Sequence, residues 1–471
     1  MTDFAALLIA DDGGHATEVT LVTAAGFDAW LGQQGERTRA LVAAQGFKGR
    51  PDTLAVLSGD NPADWSAVAG IDAEPGVFAL AAVAAGLPEG CYRLRFGDGS
   101  HGAVPPLGWL LAQHRFDRYR RGTGAAGAIG ARVLLTRDPG GITAAVRLAE
   151  ATALVRDLVD TPASDLGPAE LADAVLAEAQ RCNARVEITK GEALLARNFP
   201  AIHAVGRAAA QAPRLIDLRW GHSSHPRVTL IGKGVTFDSG GLNIKPGSGM
   251  ALMKKDMGGA AHALALARLV MQADLPVNLR LLIPAVENSI SADAMRPGDI
   301  LASRAGKTIE VTNTDAEGRL ILADALTLAG EERPDLIIDF ATLTGAARVA
   351  LGPQLPAFFT NDDQLATAFD HAAAQAGDPL WRLPLWPGYR DMLKSNIADL
   401  ANSPEGGFAG AITAALFLEA FLPAGVAWAH FDTFAWNPSS RPGRPKGGEA
   451  MGLRAAFALL QMRYLQQQSL R

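Results

Sequence analysis

The sequence predicts an α/β protein of two domains, a smaller N-terminal α/β domain at residues 1–140 and a larger C-terminal domain at residues 141–471. The 471 residues exceed what a single hydrophobic core usually organises. In the second part, short continuous apolar runs alternate with helical patterns, which indicates a central, mostly parallel sheet flanked by helices. Gly140-Gly141 interrupts the pattern between the two parts and marks the predicted boundary.

Composition excludes several classes of protein. The chain is 48% hydrophobic and 20% charged, and its net charge of -6 argues against a nucleic-acid partner, because phosphate binding needs concentrated positive charge. Cys91 and Cys182 are far apart and lack a metal-ligand spacing, so we expect a reducing compartment and no disulfide framework. The first ten residues lack the basic region of a signal peptide, and no apolar run reaches the roughly 18 residues of a transmembrane helix. We therefore expect a cytoplasmic protein that does not contact a membrane.

The N-terminal domain shows strands and helices but no chemical constellation. Its predicted strands are 54–57, 92–96 and 131–135, and its predicted helices are 79–85 and 107–114. Four basic residues follow the second helix: Arg115, Arg118, Arg120 and Arg121. We interpret this cluster as a solvated helix face or a subunit contact, with an anion site as the alternative.

The C-terminal domain begins with a helical pattern over 142–159, which Asp160-Thr161-Pro162 ends. A second helix begins near Pro168. Strands are predicted at 187–189, 214–218, 228–232, 279–284, 308–311, 336–340 and 426–431, and helices at 192–197, 260–273, 320–330 and 410–421. In such folds, functional sites lie at the carboxyl ends of the strands.

One stretch follows a predicted strand and opens a predicted helix: Val311-Thr312-Asn313-Thr314-Asp315-Ala316-Glu317-Gly318-Arg319-Leu320. In an extended segment alternate side chains leave from one face, so Asp315 and Glu317 would point at the same place. Two carboxylates that close repel each other unless a cation lies between them, and divalent metals favour carboxylate oxygens. The alternative is an acidic turn that caps the following helix.

A second stretch, Gly232 to Gly241, follows the strand that ends at Ile231 and contains Lys233 and Asp238. A glycine-rich loop in this place could cradle phosphates, but the order of a P-loop or a dinucleotide-binding loop is missing. Lys245 and Asp256 follow within the next residues. The candidate metal ligands are therefore Asp238, Asp256, Asp315 and Glu317, with Lys233 nearby. Four carboxylates exceed the need of one ion, so two metals about 3.5–4 Å apart are the simpler expectation.

The remaining reactive residues give weaker signals. His262 is interpreted as a core residue, His222 and His225 as exposed, and His430 as a neighbour of the metal ligands or a core residue. The sequence contains no HExxH motif, and Ser239 is not in a GxSxG setting. These observations exclude a zincin of that type and a hydrolase with a nucleophile elbow.

At these residues the sequence resembles the leucyl aminopeptidase family (peptidase family M17, cytosol aminopeptidase). Residues 313–320 match the family signature in full, and 232–241, Lys245 and 256–260 match its other segments in order and spacing. The likeness covers about residues 150–455, whereas the N-terminal part is similar only in size and general pattern. The resemblance implies that the larger domain is a catalytic domain. It also implies a two-metal aminopeptidase that releases N-terminal residues, leucine-like and others, from peptides with a free N-terminus.

The resemblance also implies residue roles. One metal would be bound by Lys233, Asp238, Asp256 and Glu317, and the other by Asp238, Asp315 and Glu317. A lysine ligand must be neutral, and two adjacent cations would lower its pKa enough. The metals would hold the substrate amine and carbonyl and activate a bridging water, Lys245 would stabilise the oxyanion, and Arg319 would hold a bicarbonate ion as general base. The substrate-binding residues would be Met253, Asn313, Thr342, Leu343, Gly345 and Met451. The metals would be Mn²⁺ or Zn²⁺, and the assembly a homohexamer.

One segment departs from the family pattern. After the last predicted strand the sequence reads Phe431-Asp432-Thr433-Phe434-Ala435-Trp436, and a basic loop follows at 441–446. We expect this loop near the pocket, where it would affect substrate preference. The alternative function is a non-catalytic regulatory or DNA-associated protein on the same fold. A two-metal phosphoesterase would need more histidine and nucleophile signal than the sequence contains.

Overall fold

The computed structural model describes residues 2–59, 61, 64–99, 103–120 and 130–465. The chain forms two compact units, Met1–Ala153 with Ser439–Lys446, and Leu154–Pro438 with Gly447–Arg471. The helix Ile142–Asp160 runs through the division between them. The boundary placed at residue 140, ahead of this helix, therefore stays a prediction.

The N-terminal unit is built on a six-stranded sheet. Its strands are β1 (Leu8–Ala10), β2 (Thr17–Thr23), β3 (Leu54–Ser58), β4 (Trp65–Ile71), β5 (Gly90–Phe96) and β6 (Arg132–Thr136). Their order is β1-β6-β5-β2-β4-β3, and all neighbours are parallel except β3 and β4. Its helices are α1 (Phe27–Gly32), α2 (Glu36–Ala44), α3 (Ala81–Gly86) and α4 (Leu107–Leu111), and α5 (Ile142–Asp160) continues into the second unit.

The predicted strands and helices of this unit are confirmed, but β1, β2, β4, α1 and α2 were not predicted. The basic cluster does not lie on a helix, because α4 ends at Leu111. Arg115, Arg118 and Arg120 are exposed in the turn and irregular chain that follow, and Arg121 lies outside the described residues. The interpretation as a helix face was therefore wrong, although these side chains are solvated.

The C-terminal unit is built on a nine-stranded sheet. Its strands are β7 (Arg185–Lys190), β8 (Arg214–Trp220), β9 (Arg227–Gly232), β10 (Gly234–Asp238), β11 (Asn278–Asn288), β14 (Leu336–Ala341), β15 (Ala357–Thr360), β16 (Trp381–Arg382) and β18 (Trp428–Asp432). The order is β16-β15-β18-β14-β9-β11-β8-β7, with β10 paired to β11. The central strands β18, β14, β9 and β11 are parallel, whereas β15, β8 and β7 pair in antiparallel fashion with their inner neighbours.

Two small sheets complete this unit, one of β12 (Ile300–Ala302), β13 (Thr308–Glu310) and β17 (Leu400–Ala401), the other of β19 (Trp436–Asn437) and β20 (Gly447–Gly448). The helices are α6 (Pro168–Arg181), α7 (Ala193–Ala196), α8 (Pro200–Gly206), α9 (Gly247–Met250), α10 (Gly258–Gln272), α11 (Glu317–Glu331), α12 (Gly345–Leu351), α13 (Asp363–Ala376), α14 (Gly410–Glu419) and α15 (Leu453–Tyr464). The predicted α/β class with a mostly parallel centre is confirmed. Among the described residues, no helix has the length and apolar character needed to cross a bilayer.

Close packing brings the start of α10 to the carboxyl ends of the central strands. A Cβ atom on Gly259 would lie 2.2 Å from the carbonyl oxygen of Phe340 in β14, and one on Gly232 would lie 2.5 Å from Cα of Ala260. Only glycine permits such backbone contacts. The residues just before α10, including Asp256, are thereby held against the ends of β9 and β14.

A buried acid fixes α8 against α11. Asp324 of α11 accepts hydrogen bonds from the backbone N–H groups of Ala201 and Ile202 at 2.9 and 3.2 Å, and from that of Arg304 at 2.8 Å. The first two donors belong to the first turn of α8, whose N–H groups have no partner within the helix. Asp324 therefore acts as a helix cap supplied by a distant part of the chain.

Candidate metal centre

Three predicted ligands converge at the carboxyl edge of the large sheet. Asp238 ends β10, Asp315 lies in the turn before α11, and Glu317 is the first residue of α11. One carboxylate oxygen of each lies within 4.8 Å of the others. The backbone from residue 312 to 316 is a turn rather than an extended segment. The argument from alternating strand side chains was therefore wrong, and it is the turn that directs Asp315 and Glu317 to one place.

Two lysines neutralise the carboxylates in pairs. The Nζ atom of Lys233, directly after β9, lies 2.8 Å from Oδ2 of Asp256 and 2.9 Å from Oε1 of Glu317. The Nζ atom of Lys245 lies 2.8 Å from Oδ2 of Asp238 and 2.5 Å from Oδ1 of Asp315. All five predicted metal ligands and the predicted catalytic lysine thus form one cluster.

Neighbouring groups hold one carboxylate oxygen of Asp238 and one of Asp256 by hydrogen bonds. Oδ1 of Asp238 accepts hydrogen bonds from Nδ2 of Asn288 and from the backbone of Gly240, both at 2.8 Å. Oδ1 of Asp256 accepts from Oγ1 of Thr342 at 2.8 Å. The second oxygen of each carboxylate is left facing a lysine. Sequence reasoning missed Asn288, which ends β11 and carries no local signal.

Burial and repulsion shift the ionisation of the acids. Burial, with added repulsion from Asp238, raises the pKa of Glu317 to about 8 and that of Asp315 to about 6. Burial alone would lower the pKa of Lys233 and raise that of Asp256. Their mutual attraction outweighs burial, so the pKa of Lys233 is raised and that of Asp256 is lowered. The cluster therefore favours additional positive charge.

The donor set fits divalent cations. Oδ2 of Asp256, Oδ1 of Asp315 and Oε1 of Glu317 are buried, and within the described part of the chain they contact lysine ammonium groups without a well-aligned hydrogen bond. Buried carboxylate oxygens normally have hydrogen-bond partners. Several such oxygens beside one amine nitrogen form a ligand set that zinc and manganese accept.

Arg319 is buried in the first turn of α11, and its Nη1 donates to the carbonyl oxygen of Asn402 at 2.7 Å. Burial lowers the pKa of Arg319 to about 10. Oδ1 of Asn313 accepts from the backbone of Asp315 at 2.9 Å, and its carbonyl oxygen accepts from Nδ2 of Asn402 at 2.7 Å. Asn402, which sequence reasoning missed, therefore contacts both the turn at residues 312–316, through Asn313, and the first turn of α11, through Arg319.

A cavity of about 270 Å³ opens beside the cluster. Its lining contains the six cluster residues and five of the six predicted substrate-binding residues, namely Met253, Thr342, Leu343, Gly345 and Met451. Asn313 and Arg319 are not part of this lining. The predicted pocket residues other than Asn313 thus lie together around the carboxylates. Asn313 lies in the turn at residues 312–316.

The divergent segment contributes to the cavity through Asp432, Thr433 and Phe434. Asp432 ends β18, and its carboxylate accepts from the backbones of Leu343 and Thr344 and from Oγ1 of Thr344. The basic loop 441–446 instead belongs to the N-terminal unit, where the guanidinium carbon of Arg444 lies 4.0 Å from the ring centroid of Phe78. No residue of this loop is among the described residues that line the cavity, and its expected position near the pocket and effect on substrate preference stay predictions.

The four histidines considered in the sequence analysis lie outside the cavity lining. His262 is buried in α10, with Nδ1 2.7 Å from the carbonyl oxygen of Gly258, and its Nε2 accepts from the backbone of Met451 at 3.0 Å. This confirms its interpretation as a core residue. His430 is buried in β18 with Nδ1 2.5 Å from Oδ1 of Asp339. His222 is exposed and His225 half-buried.

Comparison with known proteins agrees with this site. The description "Cytosol aminopeptidase family, catalytic domain" matches residues 153–457, and "M17 aminopeptidase, N-terminal domain" matches residues 18–129. The chain belongs to the cytosol aminopeptidase family. As a member it is a hydrolase that acts on peptide N-termini, and the family resemblance found in the sequence is confirmed.

Individual relatives cover both units. The crystal structure of cytosol aminopeptidase from Coxiella burnetii is 46% identical with a TM-score of 0.91, covering 97% of this chain and 99% of that chain. A probable cytosol aminopeptidase of Syntrophotalea carbinolica is 44% identical over 367 residues, 75% of this chain and 73% of the relative. The bottromycin maturation enzyme BotP in complex with Mn is 32% identical with a TM-score of 0.84, covering 97% of this chain and 99% of that chain.

Proposed function

We propose that this family member is a two-metal aminopeptidase whose metals are held by Lys233, Asp238, Asp256, Asp315 and Glu317. The observation that carries the proposal is the convergence of three carboxylate oxygens within 4.8 Å, beside a peptide-sized cavity. Bound divalent cations would supply a Lewis acid and lower the pKa of a coordinated water. The complex of BotP with Mn supports manganese as one candidate, and zinc is the other.

Binding of the metals would require Lys233 and Lys245 to give up their present ion pairs with the carboxylates. In the ion pairs described above, Lys233 carries a proton, and it has to lose this proton before its nitrogen can act as a ligand. Lys245 is paired with the two acids that would turn to the cations, so its ammonium group would be released. A free ammonium group at the cavity wall suits stabilisation of a developing oxyanion, which we propose as its role.

Substrate selection would rest on an apolar wall. Met253, Leu343 and Met451 line the cavity and suit leucine-like side chains. Contacts with methylene groups discriminate by only about 1–3 kcal/mol, so we propose that specificity is broad. Bicarbonate held by Arg319, the homohexamer and a cytoplasmic location also remain proposals that come from the family resemblance.

The alternative of a non-catalytic or DNA-associated protein has weaker support. The family match covers a catalytic domain, the neighbour BotP is itself named a maturation enzyme, and the net charge is -6. The deciding experiment is hydrolysis of leucyl-p-nitroanilide by protein loaded with Mn²⁺ or Zn²⁺, compared with protein treated with a chelator. We expect turnover that depends on added metal. A metal-loaded, folded protein without turnover that shifts DNA in a gel at physiological salt would favour the alternative.

A further inference from the structure

One wall of the cavity carries two cationic side chains close to the same aromatic ring. Nζ of Lys255 lies 5.3 Å from the ring centroid of Phe434, and the guanidinium carbon of Arg348 lies 4.6 Å from the same centroid. All three residues line the cavity. None of them was assigned a role above, so this wall offers a feature that the metal centre does not use.

Lys255 is buried without a hydrogen-bond acceptor. Its side chain is about 6% exposed, its ion pair with Oδ1 of Asp256 is long at 3.9 Å, and within the described residues its ammonium group makes no hydrogen bond. The neighbouring Lys254 contrasts with it, since its Nζ donates to the carbonyl oxygen of Asp160 at 2.5 Å. Because Lys255 lines the cavity, the N–H groups of its amine are available to an acceptor there.

The positive charges of Lys255 and Arg348 on this wall are not balanced by Asp432. Arg348 lies on α12 and is exposed, and in the described part of the chain its guanidinium has no ion pair or hydrogen bond. The carboxylate of Asp432 already accepts from Leu343 and from both donors of Thr344. The carboxylate of Asp432 therefore has little acceptor capacity left for either cation.

We propose that Lys255 and Arg348 form a carboxylate-binding subsite beside Phe434. This subsite selects peptides that carry a carboxylate near the scissile bond. The proposal rests on the aminopeptidase function proposed above and narrows its substrate class. An arginine pairs with a carboxylate through parallel N–H groups, and an amine retains N–H donors whether or not it carries the extra proton. The carboxylate would come either from an acidic side chain or from the C-terminus of a short peptide.

Four peptides separate the two sources. Leu-Leu-amide carries no carboxylate, Leu-Leu carries one at its C-terminus, and Glu-Leu-amide and Leu-Glu-amide carry one on the first or second side chain. For the metal-loaded protein we expect kcat/KM for at least one carboxylate peptide to exceed that for Leu-Leu-amide by about tenfold, a gain of the size expected for charge-assisted hydrogen bonds. The preferred peptide identifies the source.

Two variants test the residues. Lys255→Met keeps the length of the side chain without its donors, and Arg348→Met changes an exposed residue whose loss leaves folding intact. Each is expected to abolish the preference, bringing the ratio of kcat/KM values close to that of an uncharged pair. The matched control is Lys394→Met, which should retain the preference. Lys394 is 73% exposed and, among the residues that the structure describes, pairs only with Asp391.

A binding measurement separates the subsite from the enzyme function. Calorimetry with reduced-bond analogues of the three carboxylate peptides, which cannot be hydrolysed, should show that at least one of them binds more weakly to both variants than to wild type. Hydrolysis of all four peptides at similar kcat/KM, or an equal loss on all of them in both variants, would overturn the subsite while leaving the aminopeptidase in place. Absence of any hydrolysis would contradict the aminopeptidase, and calorimetry would then decide the subsite alone.

Discussion

Gly318 offers a test of the position of Lys233. It is the second residue of α11, and a Cβ atom there would lie 2.5, 2.7 and 2.8 Å from Cε, Cδ and Nζ of Lys233. Alanine is favoured over glycine in a helix by about 1 kcal/mol, whereas overpacking a core costs about 1–3 kcal/mol. Because the crowded atoms end a flexible side chain, we expect the low end of that cost and a free energy of unfolding within about 1 kcal/mol of wild type.

The functional effect of Gly318→Ala should be much larger. Lys233 is 3% exposed and lies between Asp256 and Glu317, so its displacement must lengthen both ion pairs. A shift of about 1 Å at a catalytic constellation costs about a hundredfold in rate, and we expect a loss of that order in kcat/KM together with weaker metal binding. Urea unfolding of the metal-free protein, calorimetric metal titration and peptide hydrolysis measure the three quantities.

The matched control is Gly32→Ala at the end of α1, where a Cβ atom would meet nothing within 4 Å. This variant should leave metal affinity and turnover at wild-type values. Unchanged metal affinity and turnover in Gly318→Ala would show that Lys233 does not occupy a ligand position, and the proposed centre would then need a different nitrogen ligand or none.

Three other side chains give further predictions. Asp256→Ala should lose one metal by elemental analysis and nearly all turnover while keeping its circular dichroism spectrum; full activity after dialysis would contradict its assignment as a ligand. Lys245→Ala should lower kcat by more than it changes KM, and a pure KM effect would remove it from the oxyanion role. Asp324→Ala leaves two buried N–H groups and one partly buried N–H group without an acceptor and should cost about 3–5 kcal/mol in urea unfolding. Because burial raises the pKa of Asp324 to about 7, the folded state keeps a proton that the unfolded chain loses near pH 4, so wild-type stability should fall between about pH 4 and pH 7. The same slope in Asp324→Ala would contradict this linkage.

The central strands of the C-terminal unit were predictable because burial on both faces makes them continuously apolar. The strand residues of β14 are all buried, as are those of β9 after Arg227, and both appeared as apolar runs that contain one polar residue each, Asp339 and Thr229. The strand β10 did not, because Gly234 and Thr236 break its apolar character and it was interpreted as part of a glycine-rich loop. Pairing with the end of β11, which the local pattern cannot show, makes it a strand.

The candidate metal ligands were predictable from the sequence, whereas the residues that support them were not. Asp238 and Glu317 lie beside strand ends or helix starts, where an α/β sheet gathers its functional groups. The side chain of Asn288 reaches Asp238 across 50 positions, and that of Asn402 reaches the carbonyl oxygen of Asn313 across 89. Amide side chains have no spacing that marks such distant partners. Lys255 was hidden for a similar reason, since only the folded cavity distinguishes it from its paired neighbour Lys254.

Because the candidate ligands are far apart in the sequence, the metal centre can form only in the folded chain. Lys233 follows β9, Asp238 ends β10, and Glu317 begins α11, so their side chains meet only when the sheet and α11 are assembled. In the unfolded chain the same acids are separated and solvated, and they offer no common place for an ion. Cation binding would therefore act on the folded C-terminal unit alone and add to its stability by mass action. Burial and the repulsion from Asp238 raise the pKa of Glu317, and on this argument they are the part of the folding cost that a bound cation would offset.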